Sequence, residues 1–231
     1  RLSVHEVTQG QWKTVMGTDP QARPVGPNFP VTSVTHDEAV AFCKKLTDRE
    51  RTAGRIPDNG EYRLPTEAEF EYACRAGTTT KHYFGDERLE DHAWFGDTGR
   101  GSVAHEVGLK KANPWGLHDI YGNVGEWCSD WYVSELPGGS DPQGPSSGTK
   151  QVTRGGATAS AGTHVHSGSR YAVPSTYRHN MAGFRVVLTL KTTPKQLLTP
   201  VVAKAPFLEP QAKAHQKAWA DYLGLPVEQE V

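Results

Sequence analysis

The sequence predicts an α+β fold with few short helices and strands and much irregular structure between them. Three observations carry this. The segment Asn113–Tyr132, NPWGLHDIYGNVGEWCSDWY, crowds Trp115, Trp127 and Trp131 around Gly116, Gly122 and Gly125, with Asp119 and Glu126 among them. Neither a helical face nor an alternating strand accounts for that texture, so it reads as irregular backbone held by side-chain packing. Second, 24 glycines and 16 prolines together with six tryptophans point to loops fixed by large aromatic contacts. Third, everything from Thr78 to Gly183 reads as loop and short strand.

Thr8 is placed to cap a short helix over Gln9–Met16, ended by Gly17 and by Asp19-Pro20. A polar, proline-bearing loop leads to Pro30-Val31-Thr32-Ser33-Val34, which reads as a short strand. Thr35 then caps HDEAVAFCKKLTDRERTAG. Asp37 and Glu38 open that helix and Lys44, Lys45 and Arg49 follow, in accord with the macrodipole. Ala39, Phe42, Cys43 and Leu46 fall at helical spacing and mark its core face. After a turn-rich loop from Ile56, Tyr62-Arg63-Leu64 is strand-like. Pro65, Thr66 and Glu69 then spell a capping box for a helix stopped by Gly77. From Thr78 to Gly183 the expectation is loop and short strand, with Val186–Leu190 as a closing strand. Residues 1–190 thus form the domain, 191–208 a linker, and 209–231 a tail with one amphipathic helix at Glu209–Tyr222.

A formal net charge of −1 gives no electrostatic footprint for nucleic acid or an anionic membrane. No apolar run is long enough to span a bilayer. Three cysteines, an odd number, argue against a complete disulfide framework, and Cys43, Cys74 and Cys128 are read as buried thiols.

Taken in order, EVTQGQW, YRLPTEAEFEYACRAG, the NPWGLHDIYGNVGEWCSDWY segment, and RGG at Arg154–Gly156 closing in GFRVVL at Gly183–Leu188 resemble the formylglycine-generating enzyme family, also called the sulfatase-modifying factor family. The resemblance runs from about Glu6 to Leu188 and implies an elaborated C-type-lectin-like fold. Family members carry strand residues ahead of the EVTQGQW motif. Here only Arg1–His5 stand there, so either the fold is trimmed or another segment completes the sheet edge. The tail resembles linkers that lead into a further domain, and the chain is expected to be a fragment of a longer protein.

The resemblance implies a structural calcium held by the Asp119 and Glu126 side chains and the Gly122 and Val124 carbonyls. Hard cations take such oxygen ligands. One relative in the family has Asn in place of Asp119, and the added carboxylate should keep or strengthen binding. The competing expectation is that Asp119 caps a turn and Glu126 pairs with an arginine. The resemblance also implies an oxidase that uses copper on two cysteines between RGG and GFR. Arg154–Arg185 contains no cysteine, so copper is not expected. Thr163-His164-Val165-His166 offers another possibility: on a strand both imidazoles would share one side and meet a transition metal, with His179 as a third ligand. The plainer expectation is a solvated polar loop. Arg63, Arg154, Arg170 and Arg185 are either buried bidentate partners of carboxylates or, at Arg170, part of a ligand site.

These features lead to the expectation of a catalytically silent binding or assembly module. Small residues at 157–169 would leave a shallow face for a small ligand, and Trp219 on the tail helix would anchor a protein partner or a neighbouring domain. A variant of this is the ligand-binding variable protein of a diversity-generating retroelement. The rival class is an enzyme: a formylglycine-type oxidase or a metal-dependent oxygenase on His164 and His166.

Overall fold

The computed structural model describes residues 1–96, 102–136, 138–139 and 142–191, and Arg1–Lys191 forms one compact unit. The expected tail helix and its Trp219 lie outside the described residues. No helix among the described residues is long and apolar enough to cross a membrane.

The three helices expected within the described residues form where their caps dictate. In α1 (Gln9–Met16) the Thr8 hydroxyl accepts from the Gln11 N–H, and the Gln11 side chain reaches back to the Thr8 backbone. The same box closes α2 (His36–Thr52) through Thr35 and Glu38, and α3 (Glu67–Arg75) through Thr66 and Glu69. Each box satisfies two otherwise unpaired donors at a helix start. The Trp12 ring of α1 stacks on Phe42 of α2 at 5.7 Å, and Phe184 meets both rings edge-on. A four-residue helix, α4 (Leu89–His92), lies where only loop and strand are expected, and no side chain caps it.

Strand β1 (Gly60–Arg63) pairs antiparallel with β6 (Val187–Leu190), with Tyr62 opposite Leu188. The first residues of the chain lie along β6. Leu2 bridges Val187, the Ser3 N–H donates to the Val186 carbonyl, and the Leu188 N–H donates to the Arg1 carbonyl. A second sheet has the order β4-β3-β2-β5, from β2 (Gly125–Trp131), β3 (Gln151–Arg154), β4 (Arg170–Val173) and β5 (Ala182–Gly183). The β2/β5 pair is parallel, and the β2/β3 register slips between Trp127 and Trp131. Residues 30–34 do not form the expected strand. Pro30 makes one bridge to Thr8, but Ser33 turns left-handed (φ 59°) and ends the extension. The core lies under this sheet, where Phe70 and Cys74 of α3 meet Tyr121, Cys128, Val152 and Val165.

Candidate functional site

The loop ahead of β2 delivers its carboxylates to one buried node. Asn113 organises the turn: its side-chain oxygen accepts from the Trp115 and Leu117 N–H groups, and its amide donates to the Ala73 carbonyl. The backbone then turns left-handed at Asp119 (φ 52°), Gly122 (φ 77°) and Asn123 (φ 53°). Only glycine fits at 122, because a Cβ there would stand 2.1 Å from the Trp94 carbonyl oxygen. The chain enters β2 with Glu126 pointing at Arg185. Their pair is bidentate at 2.6 and 2.7 Å, and both side chains are fully buried. Arg185 also donates to the carbonyls of Ser3, Val4 and His118, so the guanidinium ties the front of the chain to this loop.

Two further carboxylates share the node. Asp119 accepts from the Gly108 N–H through Oδ2, while Oδ1 is buried without a partner. Glu6 accepts from the Asn123 amide through Oε1, while Oε2 is buried without a partner. Burial pushes all three carboxyls up, and for Glu6 the charges of Asp119 and Glu126 add to it. His5, beside Glu6, is pushed down to about 4 by burial and supplies no compensating charge near neutrality. Ionised together, the three buried carboxyls would exceed the one buried guanidinium by two negative charges.

These residues fit a hard divalent cation by charge and by ligand class. Glu126 is the member of the expected ligand set whose oxygens are already taken. Both Glu126 oxygens are already engaged by Arg185, so Glu126 can join a cation only by sharing its lone pairs. The competing expectation from the sequence is met at both residues: Asp119 holds a turn and Glu126 pairs with an arginine. Among the described residues, no three of His, Cys, Asp and Glu converge on one point. A cation here would draw on two open carboxylate oxygens supplemented by carbonyls.

The other three arginines singled out in the sequence are paired. Arg170 grips Glu67 at 2.5 and 2.7 Å and donates to the Val133 carbonyl, so its guanidinium is engaged by the scaffold. Arg154, fully buried, donates to Glu71 at 2.6 Å, and Arg63 holds Glu69.

The segment after RGG does not form the strand on which the two histidines are expected. Gly162–His164 is a single 3-10 turn, with the His164 N–H donating to the Ala161 carbonyl and the Val165 N–H to that of Gly162. Val165 points inward, His164 is exposed and half-buried His166 accepts from the Gly168 N–H, so no strand aligns the two rings. His179 accepts from the Met181 N–H and stacks on Tyr177. Nor is 157–169 wholly open: Ala157, Thr158, Val165, Ser167 and Ser169 are buried. Cys43, Cys74 and Cys128 are all buried free thiols, as expected. Burial pushes Cys43 up to about 12 and Cys74 to about 11, and Cys128 also rises well above its usual range. None is poised as a thiolate ligand.

Glu6 and Asn123 are the members of the node that the sequence does not single out. They meet across 117 positions, and no local pattern marks such a contact.

The mixed sheets, the long ordered loops and the buried Glu126–Arg185 node define an elaborated C-type-lectin-like fold of the formylglycine-generating type. Residues 2–190 match the sulfatase-modifying factor enzyme 1-like domain, and the chain belongs to that family. It is similar to the formylglycine-generating enzyme of Streptomyces coelicolor, 37% identical over 147 residues, covering 56% of this chain and 42% of that one. The chaperone protein LppX of Paenibacillus barcinonensis is 30% identical over 206 residues, covering 69% of each chain. Among solved structures, Treponema denticola variable protein 1 superposes with a TM-score of 0.69 at 33% identity, covering 82% of this chain and 84% of that one. The chain spans less than half the length of the formylglycine-generating enzymes it matches.

Proposed function

We propose that this domain is a catalytically silent member of its family that works as a binding or assembly module, with a structural calcium held by the loop of Asp119, Gly122, Val124 and Glu126. One observation carries the proposal. The segment from Arg154 to Arg185 holds no cysteine, and the three cysteines of the chain are buried at other places. Copper-dependent oxidation of a substrate thiol in this family needs soft thiolate ligands, and the segment that would carry them has no cysteine. The relative described as a chaperone protein supports a role in binding another chain. The partner would be a protein or neighbouring domain, engaged through Glu209–Tyr222 with Trp219 as anchor.

A second reading has one specific observation in its favour. Likeness to a variable protein of Treponema denticola supports a ligand-binding variable protein, with a small ligand at the exposed part of 157–169. Ala159, Ala161, Thr163, His164 and Gly168 are the exposed positions there, on a turn whose inward residues are fixed.

The test uses a cysteine-containing sulfatase peptide, incubated with the protein with and without added copper. Mass spectrometry should show an unchanged peptide in both cases. A mass loss matching thiol-to-aldehyde conversion, above a no-protein control, would return the domain to the oxidases.

A further inference from the structure

We infer that Glu6, at the front of the chain, supplies a carboxylate oxygen to the cation at the Asp119 loop, so that the cation fastens the first segment of the domain to the loop entering β2. The inference rests on the structural-cation proposal and extends its ligand set beyond the 119–126 loop.

Glu6 is completely buried, and among the described residues no lysine, arginine or histidine forms a salt bridge with it. One oxygen is satisfied by the Asn123 amide, at 3.1 Å, and the other has no hydrogen-bond partner. Asn123 belongs to the same loop as Asp119, whose Oδ1 is likewise buried and unpartnered. The one guanidinium of the node, Arg185, commits Nε and one terminal nitrogen to Glu126 and its other contacts to carbonyls. It therefore leaves both open oxygens without a donor. An unpaired buried carboxylate is among the costliest arrangements in a protein interior. Two of them in one node, each with one lone-pair-bearing oxygen unengaged, fit a shared hard cation better than any donor the described residues provide.

The placement has a mechanical consequence. The Val7 N–H donates to the Phe184 carbonyl, and the Val31 N–H donates to the Val7 carbonyl, so Glu6 sits beside a residue that links Phe184, just after β5, to Val31. A cation that bridges Glu6 and Asp119 would close this seam from inside.

The experiment uses the full chain, stripped with chelator and titrated with calcium chloride by calorimetry. It compares wild type with Glu6→Gln, Glu6→Asp and, as an exposed control, Glu87→Gln. Hydrogen exchange at the Ser3 and Val7 amides is read with and without calcium. Wild type and Glu87→Gln should bind alike. Glu6→Gln should bind at least about tenfold more weakly, and calcium should slow exchange at Ser3 and Val7 in wild type but not in Glu6→Gln. The melt in chelator should be no lower for Glu6→Gln than for wild type, because the variant removes an uncompensated charge; a purely structural carboxylate would lower it. Glu6→Asp keeps the charge, retracts the oxygen, and should also weaken binding, which covers the case in which Glu6→Gln does not fold. Absence of calcium binding by wild type would overturn the cation itself. Equal affinity in wild type and the Glu6 variants would overturn the role of Glu6 and leave the cation standing.

Discussion

The Glu126–Arg185 node and the 157–169 segment lie in one domain but are held in different ways. At the node almost every backbone and side-chain position is determined from several directions. Arg185 alone contacts Glu126 and three carbonyls from two distant parts of the chain. In 157–169 the anchored residues are interleaved with free ones. Thr158 and Val165 are buried, while Ala159, Ala161, Thr163 and His164 are exposed and small or polar. The difference teaches where a family can change its chemistry. Residues that hold the scaffold are coupled to one another, whereas the exposed residues of a turn can be exchanged without disturbing it.

That contrast can be broken by mutation. The largest effect is expected at Arg185. Arg185→Met strands Glu126 beside two other buried carboxylates, and breaking a buried pair by removing one partner costs about 3–5 kcal/mol. A denaturant melt should show a domain that is unfolded or close to it; a loss under about 1 kcal/mol would mean the node is not a determinant of the fold. Gly122→Ala comes next. It puts a Cβ against the Trp94 carbonyl in a left-handed conformation, and about 2–4 kcal/mol of destabilisation is expected from clash and strain together. The same melt, with Gly17→Ala as the comparison, separates the two causes, since a Cβ at Gly17 (φ 79°) meets open space.

A smaller effect is expected from His36, whose ring lies edge-on to Trp127 and whose Nε2 stands 3.1 Å from the Cys128 carbonyl. Burial lowers its pKa. The folded state therefore favours the neutral ring, and the stability it contributes is present above the usual imidazole pKa of about 6.5 and lost as pH falls below it. His36→Gln should flatten the fall in melting temperature between about pH 7 and about pH 5. An unchanged slope would assign the acid sensitivity to other groups. The smallest effect belongs to His164→Ala and His166→Ala, both expected within about 0.5 kcal/mol of wild type. A loss comparable to that at Gly122 would mean that the turn is as constrained as the node.

The legibility of the sequence follows the same division. Helices α1, α2 and α3 are readable because their caps are local: Thr8, Thr35 and Thr66 act on residues three positions away. The closing strand at 187–190 is readable from its apolar run. Ser33 defeats the strand expected at 30–34, since a left-handed serine leaves no mark in a polar, β-branched stretch. The strand inferred for Thr163–His166 fails for a related reason: an alternating pattern four residues long also suits a 3-10 turn with one inward residue, and Val165 is that residue. Within the node, Asp119 and Glu126 stand out because carboxylates among glycines and tryptophans are conspicuous. Glu6 does not, because its partner Asn123 lies more than a hundred residues away.

The central claim is that the domain keeps the scaffold of its family without the family's copper chemistry. It is tested most directly by the metal content of the full chain after dialysis against calcium and copper together and passage over a desalting column. The expected result is retained calcium, lost in Asp119→Ala, and no retained copper. Copper held at about one per chain, and lost when His164 and His166 are replaced, would contradict it.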